Sequence, residues 1–183
     1  MRLALAMLGV VVAGAGAVAG AGGGAEEPLT CPPGAERRGA APPEGQAEWC
    51  EAAGPDERPR RQGPARTFYD DGTLWLTESY RDGQRDGPSV ERHRGGGPAR
   101  EGSWAQDRKV GRWIVRSPEG RIEEESSWKD GVLHGPFLAR WPSGAVRTTG
   151  RYCLGAQCGV WKTYDAQGKE LGVVEYGEQR ETP

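Results

Sequence analysis

A glycine and aromatic pattern recurs every 24 residues in this chain, and it leaves few folds open. Gly63, Gly87, Gly111, Gly135 and Gly159 are evenly spaced by 24. Nine residues after each stands a second glycine: Gly72, Gly96, Gly120, Gly144 and Gly168. Seventeen after each stands an aromatic: Tyr80, Trp104, Trp128, Tyr152 and Tyr176. Two after each stands Ala65, Ser89, Trp113, Phe137 or Trp161. A fixed period of this length marks stacked supersecondary units, because each unit alone cannot bury its apolar face.

The unit itself reads as a β-hairpin. Asp71-Gly72, Glu119-Gly120, Ser143-Gly144 and Gln167-Gly168 suit turns with positive φ, where a side chain is penalised. A second turn falls at Asp82-Gly83, Asp130-Gly131 and Leu154-Gly155. Turns at alternating intervals of 11 and 13 residues leave short antiparallel strands between them. Between turns the polarity alternates. Trp113 and Val115, or Phe137, Ala139 and Trp141, share a face that Arg116 and Arg140 do not. Leu74, Leu76 and Tyr80 oppose Thr77 and Ser79, and Ile122 and Trp128 oppose Glu123, Glu125 and Ser127. Period-two alternation predicts one face buried and one wet. The expected fold is therefore all-β: an elongated antiparallel meander of about five 24-residue hairpins.

Two places depart from the period. In the second unit, Arg94-Gly95-Gly96-Gly97-Pro98 predicts a longer turn and Asp107 replaces a turn glycine, so the sheet is expected to be loosest there. Before the first unit, Glu48-Trp49-Cys50-Glu51 predicts one further strand that caps the N-terminal edge. The resulting organisation is a targeting segment over 1–21, a flexible linker and cysteine cap over 22–47, repeats over 48–180 and a tail over 181–183. The repeats start at 63, 87, 111, 135 and 159.

Met1-Arg2, the apolar run from Leu3 to Val12 and the Ala/Gly stretch up to Glu26-Glu27 have the layout of a secretory signal peptide. An uncleaved anchor and a lipoprotein modified at Cys31 are the competing readings. The expected location is periplasmic or extracellular. Four cysteines behind such a segment predict disulfides, and of three possible pairings sequence proximity favours Cys31–Cys50 with Cys153–Cys158. With only His93 and His134 and no Cys-x-x-Cys, a zinc site is not expected, and no cofactor is implied. A formal net charge of −2 with interspersed Arg and acids gives no field for nucleic acid or anionic lipid.

Three phrases carry a family resemblance: Tyr80-Arg81-Asp82-Gly83 to Gly87-Pro88, Trp128-Lys129-Asp130-Gly131-Val132-Leu133-His134-Gly135-Pro136-Phe137, and Tyr152 with Gly155, Gly159, Val160 and Trp161. They resemble the bacterial variant of the MORN repeat. That resemblance implies elongated hairpin sheets that mediate protein or lipid contacts, and relatives labelled as antitoxins. It also implies that the Cys31-Pro32-Pro33-Gly34 to Trp49-Cys50-Glu51 block is the cap of an exported member.

No Gly-rich phosphate loop, Gly-x-Ser-x-Gly elbow or His-Glu-x-x-His is present, and the two histidines lack partner motifs. The expected function is thus non-enzymatic: an exported scaffold binding an unidentified protein or envelope component. Antitoxin action and membrane-surface association are the alternatives. The column Tyr80, Trp104, Trp128, Tyr152 and Tyr176 is the candidate ladder, read first as sheet packing and second as a binding row.

Overall fold

The computed structural model describes residues 28–177. The targeting segment over 1–21 and the tail over 181–183 lie outside the described residues. Twelve strands follow one another: β1 (Glu36–Ala40), β2 (Ala47–Ala53), β3 (Pro59–Phe68), β4 (Leu74–Arg81), β5 (Gln84–Arg92), β6 (Pro98–Ala105), β7 (Arg108–Arg116), β8 (Ile122–Lys129), β9 (Val132–Arg140), β10 (Val146–Cys153), β11 (Ala156–Tyr164) and β12 (Glu170–Tyr176). They form one antiparallel sheet in strict sequence order. This is the expected all-β meander.

Two turn types alternate along it. At the first, the Gly72 N–H donates to the Tyr69 carbonyl at 3.0 Å and the Tyr69 N–H to Thr73 at 2.8 Å. Gly72, Gly96, Gly120, Gly144 and Gly168 all have φ between 83° and 89°, so this column is glycine because the backbone is left-handed there. The second unit does not have a longer turn. His93 pairs with Gly97 at 2.9 Å and Gly96 with His93 at 2.8 Å, the same bonding as in its neighbours. The extra glycines at Gly95 and Gly97 fill positions that other units give to ordinary residues.

The second turns are two-residue loops with positive φ at both positions, as in Asp82-Gly83 and Asp130-Gly131. Their second N–H bonds back to the preceding unit: Gly83 to the Arg61 carbonyl, Asp107 to Arg85, Gly131 to Lys109 and Gly155 to Leu133, at 2.8 to 3.0 Å. That shared bond is why Asp107, at φ 63°, substitutes for glycine without altering the sheet. A third glycine column, Gly63 to Gly159, also has positive φ and lies at β-bulges where the register shifts. Each bulge glycine faces the aromatic of its own unit: Gly63 with Tyr80, Gly87 with Trp104, Gly111 with Trp128, Gly135 with Tyr152, Gly159 with Tyr176.

The cap is larger than one strand. Within residues 22–47, β1 is paired with β2 rather than flexible, with Arg38 opposite Trp49. Cys31–Cys50 ties the preceding segment down at a Cα separation of 5.4 Å, and Leu29 beside it is buried. Glu48, 3% exposed, is held by Arg66 at 3.3 Å and Arg37 at 3.7 Å, which a buried carboxylate requires. The second disulfide, Cys153–Cys158, closes the β10–β11 turn at 5.7 Å.

Candidate binding face

One face of the sheet carries two parallel rows, and both grow from the repeat. The inner row is the column two residues after each bulge glycine. Ala65, Ser89, Trp113 and Trp161 are buried and Phe137 is half-buried. A single-layer sheet has no second layer to cover it, so burial on this face follows this line with Ser126 and Ala139 near it. The remaining buried side chains are those of the cap and disulfides together with Phe68 and Ser117. The two tryptophans are covered by lying flat on neighbouring backbone. A side chain on Gly102 would come within 2.2 Å of Trp113, and one on Gly150 within 2.2 Å of Trp161. Those glycines stand in a column that otherwise holds Glu78, Ser126 and Val174, and register pairs it with the inner row.

The outer row contains the candidate ladder. Tyr80, Trp104, Trp128 and Tyr152 are half-buried and Tyr176 is 37% exposed at the sheet edge. They are neither a closed core nor a free surface. Their packing differs along the sheet. Tyr152 contacts Phe137 at 5.5 Å and Trp161 at 5.0 Å, both edge to face. Trp104 meets Trp113 edge to face at 5.2 Å. Such pairs are favoured because the positive ring edge meets a negative face.

Between the rings of the first units stand cations that the periodic reading missed. Arg61 lies 5.1 Å from both Trp49 and Tyr80, and Arg85 lies 3.6 Å above Trp104. Lys109 stands 5.9, 4.4 and 4.5 Å from Trp104, Trp113 and Trp128. The same column continues as Leu133, opposite Trp128, and Gln157, opposite Tyr152. A basic residue two before each of the first three bulge glycines was the available signal. The column is filled differently in the last two units, and so it did not register as part of the repeat.

Electrostatics set these cations apart from one another. Arg85 is paired with Asp107 at 2.8 Å. Arg61 donates to the Tyr80 hydroxyl at 3.2 Å, which itself donates to Glu78 at 2.7 Å. Burial, together with Glu78, pushes the Tyr80 phenol above its ordinary range. Lys109 has no ion pair among the described residues. Burial and then Arg100 push its ammonium down, against the pull of Glu124. The three surrounding rings favour the charged form. Trp104 and Trp113 are also the two indoles whose buried N–H groups lack an acceptor, whereas Trp128 donates to Ser126 at 3.0 Å.

The two histidines sit at repeat junctions. His93 Nε2 donates to the Arg116 carbonyl at 2.9 Å, and His134 Nδ1 accepts from the Leu154 N–H at 3.4 Å. Tyr69 donates to Arg92 and Trp141 to Tyr164 at positions equivalent to His93, so these side chains tie one unit to the next. Among the described residues no group of three His, Cys, Asp or Glu could hold a metal ion, and no helix is long and apolar enough to cross a membrane. No protein-family model matches the chain, and no curated protein matches it.

Proposed function

We propose that this protein is an exported, disulfide-stapled β-repeat scaffold of the MORN type that binds a protein or cell-envelope polymer through its ring and cation row. One observation carries the reading. Trp49, Arg61 and Tyr80, then Arg85, Trp104, Lys109 and Trp128, form two cation and ring groups that meet where Tyr80 and Arg85 are strand partners, so that together they make one row. Stacking of this kind fixes the rings in place, and Trp, Tyr and Arg are the residues that dominate recognition surfaces. A straight row across many strands suits an extended ligand better than a compact one. Two disulfides agree with an oxidising compartment.

The test is crosslinking in intact cells with the wild-type chain, a Trp104→Ala/Trp128→Ala variant and a Trp75→Ala variant. Trp75 is exposed and lies outside the row. A partner captured by the wild type and Trp75→Ala, and lost by the double variant, supports the reading. A partner retained by all three removes the row as the site. Fractionation of the tagged chain to the cytoplasm favours the antitoxin alternative, and flotation with anionic vesicles favours the membrane-surface one.

A further inference from the structure

The two ends of the sheet are finished in opposite ways. At the N-terminal edge, β1 is five residues long and its exposed side chains are Glu36, Arg37 and Arg38. Arg37 pairs with Glu48, and Arg38 with Glu36 at 3.0 Å and Glu51 at 3.3 Å. A short, charged strand of this kind is a blunted edge that resists pairing. At the other end, β12 is hydrogen-bonded only to β11 among the described residues. Leu171, Val173, Val174 and Tyr176 are 64%, 49%, 51% and 37% exposed, and Val160 on β11 is 50% exposed. Five of the eight exposed large hydrophobic side chains of the described chain therefore sit on the last two strands. Val173 points to one side of β12 and Val174 and Tyr176 to the other, with Leu171 exposed at the bulge before them, so the strand is apolar on both sides.

From this asymmetry we infer that the protein pairs with a second copy of itself, β12 against β12, through the open backbone edge of that strand. Head-to-tail growth would need β1 as the acceptor, and β1 is short and charged. Tail-to-tail pairing uses the same edge twice and closes as a twofold dimer, the commonest symmetric assembly. The charges on β12 permit it. Glu170 faces Tyr164 and Glu175 faces Val160, so the bulge at Leu171 puts both carboxylates on one face, where Glu170 is already paired with Lys162 at 3.0 Å. When the twofold axis is normal to the sheet, residues opposite each other share a face. In the register centred on Val173, Glu170 of one copy faces Glu175 of the other, and the Lys162 ammonium paired with Glu170 offsets the like-charge cost of that contact. The same axis keeps the ring and cation row of both copies on one side, so an extended ligand meets two rows and gains from bivalence.

The assembly is tested on the disulfide-intact protein by sedimentation equilibrium over a concentration series. Three chains are compared: wild type, Val173→Lys and Val132→Lys, the last at an exposed valine far from β12. The expected result is a wild-type dimer, the same dimer for Val132→Lys, and a dissociation constant raised about tenfold or more for Val173→Lys. Melting temperatures at low concentration separate lost association from lost folding. A second readout does not depend on folding of a variant: light and heavy isotope-labelled wild-type chains are mixed and lysine-crosslinked. Mixed-isotope links are expected at Lys162 and Lys169, which flank β12. A wild-type monomer at every concentration overturns the inference. So do mixed-isotope links confined to Lys109 and Lys129, which would place the contact elsewhere.

Discussion

In the first half of the sheet each ring of the outer row is held by a cation, and in the second half it is held by another ring. Tyr80 stands against Arg61, while the inner row beside it offers only Ala65 and Ser89. Tyr152 stands against Phe137 and Trp161 and has Leu133 at the position equivalent to Arg61. The change happens at Trp104 and Trp128, which share Lys109, and Trp104 also borders Trp113. One repeat backbone thus supports two ways of supplying area to a single-layer face. Large inner-row rings build a small core over Gly102 and Gly150; small inner-row residues leave the outer rings to long cationic side chains. The second half should accordingly store more of its stability in ring burial, and the first half more in its cap.

The sharpest way to break that contrast is to remove one ring from each half. Trp161→Ala empties a buried site and should cost about 3–5 kcal/mol. Tyr80→Ala trims a half-buried ring and should cost about 1–2 kcal/mol. Urea unfolding measures both. Equal losses would mean that the two halves are packed alike. The disulfides test the other side of the contrast. Cys31 and Cys50 are 19 residues apart and Cys153 and Cys158 are five apart. In the loop-entropy view, replacing the first pair by Ala costs about 3 kcal/mol and the second about 2 kcal/mol. A larger loss from the second pair would move the weight of the staples to the C-terminal half.

Much of this was legible before the structure. Three glycine and aromatic columns predict the strands, both turn types and the sheet order, because turn glycines answer to local backbone geometry. The disulfide pairing followed from position along the chain. The features that were not legible depend on contacts between units. Gly63 and its equivalents read only as period markers, since a bulge is defined by the partner strand. Gly102 and Gly150 were hidden because their column holds Glu78, Ser126 and Val174 in the other units, and only Trp113 and Trp161 demand a flat floor. The longer turn expected at Arg94 to Pro98 does not form, because Gly96 alone supplies the left-handed residue that the shared turn needs.

Those turns give the next test. Gly96 and Gly144 lie in different halves, both at positive φ with open space around a would-be Cβ. Gly96→Val and Gly144→Val should therefore cost the same, about 1–2 kcal/mol each, from the left-handed backbone alone. Arg147→Ala, on the strand beside Gly144, should change stability by less than about 0.5 kcal/mol. A difference between the two glycine variants would show that the halves differ in their turns as well as in their packing.

The smallest effect lies where the two halves meet. Lys109 stands against three rings and forms no ion pair among the described residues, with Glu124 acting on its charge only at longer range. Lys109→Met keeps the length of the stem and deletes the charge. It should cost about 0.5–1 kcal/mol, the size of partly desolvated cation–π contacts, and should perturb the fluorescence of Trp104 and Trp128. The reverse change, Leu133→Lys, extends the cation column one unit further, between Trp128 and Tyr152. If a cation and a ring are interchangeable supports for the row, Leu133→Lys should be neutral within about 0.5 kcal/mol. A loss as large as that of a buried charge would instead mean that the second half is closed to cations. The ring and cation row would then end at Trp128 by exclusion and not by choice of residue.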